Sequence, residues 1–415
     1  MKTRIYNVAQ LVAVPPGPVS GQAFKSPPII ENASLVLDEG RIAWFGPATA
    51  TPVGPFEQEI DAAGGTVVPG LVDCHTHAVF AGSREDEFVR RIEGANYIEI
   101  LEAGGGIQDS VRALRAASVD ELVRQSHPRL RRMLGMGTTT VEAKSGYGLT
   151  PDDEIKTLEA IRLLDSVLPM EIVPTFLGAH TIPPEYDGRP DDYLDAITDE
   201  SLLRRIGEQQ LAEFADVFCE RGAFSPEQSR RFLTACKKHG MTPRIHSEQI
   251  TRTGGTAIAI ELGAASADHL EHVDEEMIVA LKGSQTIPVV LPGCSFFLGS
   301  RPAPARRMID AGLPLALATD CNPGSCMIES LPLIMSIAAT MLRMTPLECL
   351  VACTANAAAA LRRADRIGAV AEGFQADLLI LDVPNLNRWV YQVGVNPVRK
   401  VIKAGHVVVD HSDSA

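Results

Sequence analysis

Between residues 66 and 360 the chain alternates short apolar runs with helix-like stretches, and the runs number eight. They are Leu71–His77, Thr138–Lys144, Glu171–His180, Ala215–Gly222, Thr242–Glu248, Ser266–Glu271, Thr286–Pro292 and Pro314–Asp320. Between them lie stretches of helical character, among them Val119–Met133, Asp152–Leu168, Asp199–Phe214, Pro226–His239, Gly254–Leu262 and Asp274–Leu281. Neighbouring parallel strands need a crossover long enough to hold a helix, so this alternation argues for a parallel sheet. Eight repeats argue that the sheet closes, which gives an α/β chain with a (β/α)8 TIM-type barrel. A doubly wound open sheet is the runner-up. It lacks support from a strand-to-helix G-x-G-x-x-G, since Gly104-Gly105-Gly106 follows the helix-like IEILEA and reads as a loop.

The two ends have a different texture. RIYNVAQLVAV leads through the Pro/Gly-rich PPGPVSG to SLVLDEGRIAWFG, a hairpin around Asp38-Glu39-Gly40. The last fifty or so residues repeat the pattern with ADLLILDV and RKVIKAGHVVVD, turning at Ala404-Gly405. Residues 1–65 and 361–415 are therefore expected to form one small β-sandwich-like domain, with the barrel of 66–360 inserted between them.

In barrels of this kind the chemistry sits at the carboxyl ends of the strands. The first run ends in His75 and His77, whose i, i+2 spacing points both imidazoles to one face of an extended strand. The fifth carries His246 and Glu248, with Gln249 just beyond; the sixth carries His269 and His272; the eighth ends in Asp320. Alone, each has an ordinary explanation: a satisfied core histidine, or an Asp opening the turn DCNPG. Together, three imidazoles and one carboxylate from the first, fifth and eighth strand ends make an N/O site suited to a divalent metal. His127, His239, His406 and His411 fall in helical or terminal segments and read as surface residues.

A net charge of −14 argues against nucleic acid or an anionic membrane as partner. No signal peptide is expected from MKTRIYNVAQLVAV, and the apolar Leu331–Leu342 is too short to span a bilayer. The eight cysteines form no C-x-x-C pair, which suits a reducing, cytoplasmic compartment.

HTH after VVPGLVDC, the ATD of the eighth run and the closing TANAAAAL…EGFQADLLILD resemble the amidohydrolase superfamily of metal-dependent hydrolases. HTHAVFAGSREDEF, EAKSGYGL, FLGAH, HSEQ, DHLEH and TDCNPGS resemble, more narrowly, its imidazolonepropionase family, along nearly the whole chain. The resemblance implies hydrolytic opening of 4-imidazolone-5-propanoate to N-formimidoyl-L-glutamate in histidine degradation. It also implies one zinc or iron ion per subunit and, commonly, a homodimer.

By motif, His75, His77, His246 and Asp320 would bind the metal, and Arg84 the propanoate carboxylate, for which a guanidinium fork is suited. Tyr147, His180, Gln249, Asn322, Gly324 and Ser325 would line the substrate site. Asp320 would move the proton of a water activated at the ion, His269 would stabilise the oxyanion, and Glu248 would support a ligand histidine or carry a proton. Relatives with two metals bridge them with a modified lysine on the fourth strand. Here that run, ADVFCERG, has none, which favours a single ion, although Glu220 lies in range. The competing readings are another cyclic amidohydrolase or a nucleobase-type deaminase on the same site, for which Arg84 would have no carboxylate to hold, and a non-catalytic barrel.

Overall fold

The structure, a computed structural model, describes residues 1–94 and 106–412. The IEILEA stretch and the first two glycines of the triplet lie outside the described residues.

All eight expected runs form strands. They are β6 (Leu71–Asp73), β7 (Thr138–Lys144), β8 (Glu171–Ala179), β9 (Phe214–Cys219), β10 and β11 (Thr242–Pro243 and Ile245–Ser247), β12 (Ser266–His269), β13 (Ile287–Val290) and β14 (Ala316–Leu317). The fifth run is thus two short strands flanking Arg244. Bonded order runs β14-β13-β12-β11-β9-β8-β7-β6, with β10 also on β9, and the pairs are parallel. Beyond β6 and β14 the first and last strands meet. Asp320 N donates to His75 O at 3.0 Å, His77 N donates to Cys321 O at 3.0 Å, and Thr76 bridges Cys321. The cylinder therefore closes at the rim where the histidines emerge.

Helices follow the strands and bury one face against them. Thr150 caps Pro151–Val167 through its side chain, and Ser225 with Gln228 forms a capping box on Pro226–Lys238. The helix expected over Asp199–Phe214 stops at Glu208, because Gln210 adopts φ +51 and Phe214 already opens β9. Leu331–Met341 is a helix of the core, and among the described residues no helix is long and apolar enough to cross a membrane.

The chain ends combine into one mixed sheet of eight strands. Its members are β1 (Thr3–Val12), β2 (Ile29–Asp38), β3 (Arg41–Pro47), β4 (Gln58–Asp61), β5 (Thr66–Pro69), β15 (Leu378–Leu381), β16 (Val398–Lys403) and β17 (His406–Asp410). The order is β17-β16-β15-β5-β1-β2-β3, with β4 on β1, and both expected hairpins are present. The sheet curls so that Gly405 approaches Gly40, and Ala376 N donates to Gly40 O at 2.9 Å. Strand periodicity gives it two buried faces. Ile5, Leu35, Val67, Leu378, Ile380 and Ile402 fill a core of its own. Val12, Val68, Leu379, Leu381, Val398 and Val401 point the other way and join the barrel's core.

Candidate metal centre and substrate site

At the closed rim, His75 and His77 from the segment after β6, His246 from β11, His269 from the end of β12 and Asp320 from beyond β14 come together, all buried. His77 and His246 bring their Nε2 atoms to 3.3 Å of each other. The Nε2 atoms of His75 and His77 each lie 3.6 Å from Asp320 Oδ1. Ligand atoms of His75, His77 and Asp320 fall within 4.8 Å of one another, as do those of His75, His246 and His269.

The tautomers follow from what lies behind the rings. Asp268 Oδ2 sits 2.8 Å from His75 Nδ1, and Asp216 Oδ1 sits 3.0 Å from His246 Nδ1. A carboxylate only accepts, so both Nδ1 atoms carry the proton and both Nε2 lone pairs point into the cluster. Burial, Lys144 and neighbouring imidazoles hold His75 well below the usual histidine range. Burial, with His180 and His246, does the same for His77. These rings are neutral at neutral pH, the form that binds metal.

The residues fit a cation. His75 Nε2 is buried without a hydrogen-bond partner, and the Nε2 lone pair of His246 points into the same space 3.3 Å from His77 Nε2. Asp320, His269 and Glu248 adopt φ values of +54, +80 and +52, and backbone strain of this kind gathers at functional sites.

Around the cluster lie the other expected residues. His180 stacks on His77 with centroids 5.1 Å apart, and its Nδ1 donates to Gly146 O at 2.8 Å. Burial among histidines lowers it to about 4. Tyr147 is buried 5.4 Å from the His180 ring, and burial pushes its hydroxyl up. Arg84 is paired through Nε and Nη2 with Glu87 at 2.9 and 2.7 Å. A Cβ on Gly324 would lie 2.2 Å from Arg84 Nη1, so only glycine lets the guanidinium sit there. Gln249 reaches toward Cys294 Sγ at 3.7 Å.

Some expected residues are engaged elsewhere. Both Glu248 oxygens accept from the start of the helix Gly255–Leu262, at Gly254 N (2.8 Å) and Thr256 N (3.2 Å). The left-handed backbone at Glu248 turns the side chain there, an effect that strand alternation does not anticipate. Glu220 accepts from Arg221 N, Ile250 N and Thr251 N at 2.8, 2.9 and 3.1 Å, so its carboxylate organises that loop. Asn322 ties the loop after β14 to itself, accepting from Gly324 N and Ser325 N and donating to Asp320 O. Ser325 donates its hydroxyl to the same Asn322.

Other site residues were not singled out in the sequence. Asp216 and Asp268 orient His246 and His75. Lys144 contacts Glu142 and Asp216 at 2.7 and 2.9 Å, and Arg244 contacts Asp268 at 3.1 Å. Glu271 lies 3.6 Å from His269 Nδ1. Burial alone would lower His269, but Glu271, with Asp320 and Asp268, outweighs it and raises the ring above its ordinary value. The signal available was charge inside strands that are otherwise apolar, where a buried ion needs a partner or a purpose.

Comparison with known proteins agrees with this geometry. The sequence profile of the Amidohydrolase family matches residues 66–408. The chain is 49% identical over 388 residues to the imidazolonepropionase of Geobacillus kaustophilus, covering 92% of this chain and 91% of that protein. It is 47% identical over 417 residues to that of Chloroflexus aggregans, covering 98% of each. In fold it is similar to a 5-methylcytosine deaminase from Klebsiella pneumoniae, with a TM-score of 0.76, 18% identity and coverage of 98% of this chain and 97% of that one. That likeness speaks to the fold alone.

Proposed function

The chain belongs to the amidohydrolase family and, within it, to the imidazolonepropionases, and from that premise we propose that it hydrolyses 4-imidazolone-5-propanoate to N-formimidoyl-L-glutamate. The observation that carries this reading is the convergence of His75, His77, His246 and Asp320 at the closed rim, with Arg84 beside it for a carboxylate.

We assign those four residues to one divalent ion, zinc or iron. Such an ion lowers the pKa of water to about 7 and polarises a carbonyl. Asp320 takes the proton of the attacking water and delivers it to the ring nitrogen as the amide C–N bond breaks. Its burial raises the carboxyl above the ordinary aspartate range, against the pull of His269 and His246, which suits a group that gains and loses a proton. His269, with Glu271 3.6 Å from its Nδ1, donates to the carbonyl oxygen as negative charge develops there. Arg84 holds the propanoate, with Gly324 leaving room for its guanidinium. Tyr147, His180, Gln249, Asn322 and Ser325 shape the pocket around the ring. Glu248, with both oxygens on a helix start, positions the strand end that carries His246 and leaves proton transfer to Asp320.

The protein is further read as a cytoplasmic homodimer of two-unit chains, 1–65 with 361–415 and 66–360. The reading of two units is supported by the separate core of the terminal sheet, although β5 extends that sheet to Pro69. Incubation of zinc- or iron-loaded protein with imidazolone propanoate tests the function. Loss of the ring's ultraviolet absorbance with formation of formimidoylglutamate is expected; an unchanged spectrum with metal bound overturns it.

A further inference from the structure

We propose that Lys144 and Arg244 are positioning residues for the metal centre: each is a buried cation that anchors the carboxylate on which a ligand histidine is oriented. This rests on the metal reading above and extends it to the source of metal affinity.

Two chains of contact run from the ligands into the barrel. His246 Nδ1 donates to Asp216 Oδ1 at 3.0 Å, and Asp216 Oδ2 receives the Lys144 ammonium at 2.9 Å. His75 Nδ1 donates to Asp268 Oδ2 at 2.8 Å, and the same oxygen receives Arg244 Nη2 at 3.1 Å. Lys144, Asp216, Arg244 and Asp268 are fully buried. Packing does not ask for such groups, because each buried charge costs several kcal/mol before its partner offsets it. They are also tied to the ligand strand itself. Arg244 Nη2 donates to Cys74 O at 2.6 Å, next to His75. Glu142, the second partner of Lys144, accepts from Thr76 N at 3.0 Å, between His75 and His77.

Glu142, Asp216 and Asp268 are three buried carboxylates held by two fixed cations, Lys144 and Arg244. Lys144 and Arg244 thus occupy, as protein side chains, the cationic positions beside Asp216 and Asp268, whose oxygens with His75 otherwise group closely enough to hold a metal.

The test is zinc affinity, measured by competition with a chromophoric chelator on intact protein. Lys144→Met leaves Asp216 Oδ2 without its anchor beside the uncompensated Glu142, and the zinc Kd is expected to rise by about 10- to 100-fold. In Glu142→Gln/Lys144→Met the charge on residue 142, which shared Lys144 with Asp216, is gone, so most of the lost affinity should return. Should Lys144→Met fail to fold, the double variant is compared with the wild type directly. A Lys144→Met protein that holds zinc as tightly as the wild type overturns the proposal. So does a double variant that stays weak or unfolded, since that assigns Lys144 a packing role. A wild type that binds no zinc or iron counts instead against the metal reading itself.

Discussion

Strand β15 of the terminal sheet reads LLIL and strand β7 of the barrel reads TTTVEAK, and every residue of both is buried. The first is filled as a two-faced sheet is expected to be, with Leu378 and Ile380 serving one core and Leu379 and Leu381 the other. The second carries Glu142 and Lys144 into the barrel interior, where Thr76, Asp216 and, through it, His246 depend on them. Two regions of equal burial are thus built for different ends. The sheet buys stability with apolar area; the barrel holds buried ions, which contribute little to stability and fix the direction of imidazoles. Substitutions should therefore separate chemistry from stability according to region.

The largest separation is expected at the rim. Asp320→Asn keeps the shape of the side chain and removes the proton acceptor, so kcat should fall by about 10²- to 10⁴-fold with KM little changed. Steady-state kinetics on metal-loaded protein checks this, and near-normal kcat would return proton transfer to another group. The counterpart in the sheet is Leu378→Ala, which opens a cavity in a core that touches no ligand. Denaturant unfolding should show a loss of about 2–5 kcal/mol, with kcat and zinc affinity of the folded protein unchanged. A fall in zinc affinity would mean that the two regions are coupled.

The motif histidines were legible in the sequence because metal-competent groups recur together at several strand ends, and the strands because apolar runs at helix-length spacing admit few folds. The partners of those histidines were not. Asp216 in ADVFC and Asp268 in SADH gain meaning only from the neighbours that the barrel brings to them across the sheet, and a single acid in a run says nothing of its neighbours. The direction of the Glu248 side chain was not legible for a related reason. The residue shares a strand face with His246 by alternation, but its φ of +52 turns it to a helix start. The helices expected over Asp152–Leu168 and Pro226–His239 form within a residue of those bounds, at Pro151–Val167 and Pro226–Lys238, whereas the stop at Glu208 was not legible because the left-handed Gln210 gives no chemical cue.

Arg84→Ala sharpens the contrast within the rim. Loss of a charge-assisted hydrogen bond is worth about 1.5–3 kcal/mol, so KM should rise by roughly 10- to 100-fold with a smaller effect on kcat. An unaffected KM would favour a substrate without a carboxylate. The smallest effect expected is on pH dependence. His75, His77 and His180 have folded pKa values below their unfolded values, so they contribute fully above about pH 6.5 and that contribution is lost as they take protons on acidification. In metal-free protein the urea midpoint of the wild type, taken relative to His180→Gln so that the raised carboxyls of Asp73 and Asp320 cancel, should fall from pH 6.5 toward the value of about 4 held by His180. The terminal sheet has no buried histidine among the described residues, so its own stability has no such source of acid sensitivity. A midpoint that stays flat over that range would mean that the histidine cluster takes protons without cost.

Central to all of this is one ion gripped by four side chains from three strand ends. X-ray absorption at the metal edge on stoichiometrically loaded protein, paired with anomalous diffraction, tests it most directly. One ion per chain is expected, with His75, His77 and His246 nitrogens and an Asp320 oxygen at about 2.0–2.2 Å. An ion bound by other residues, or none retained at the rim, would contradict the account.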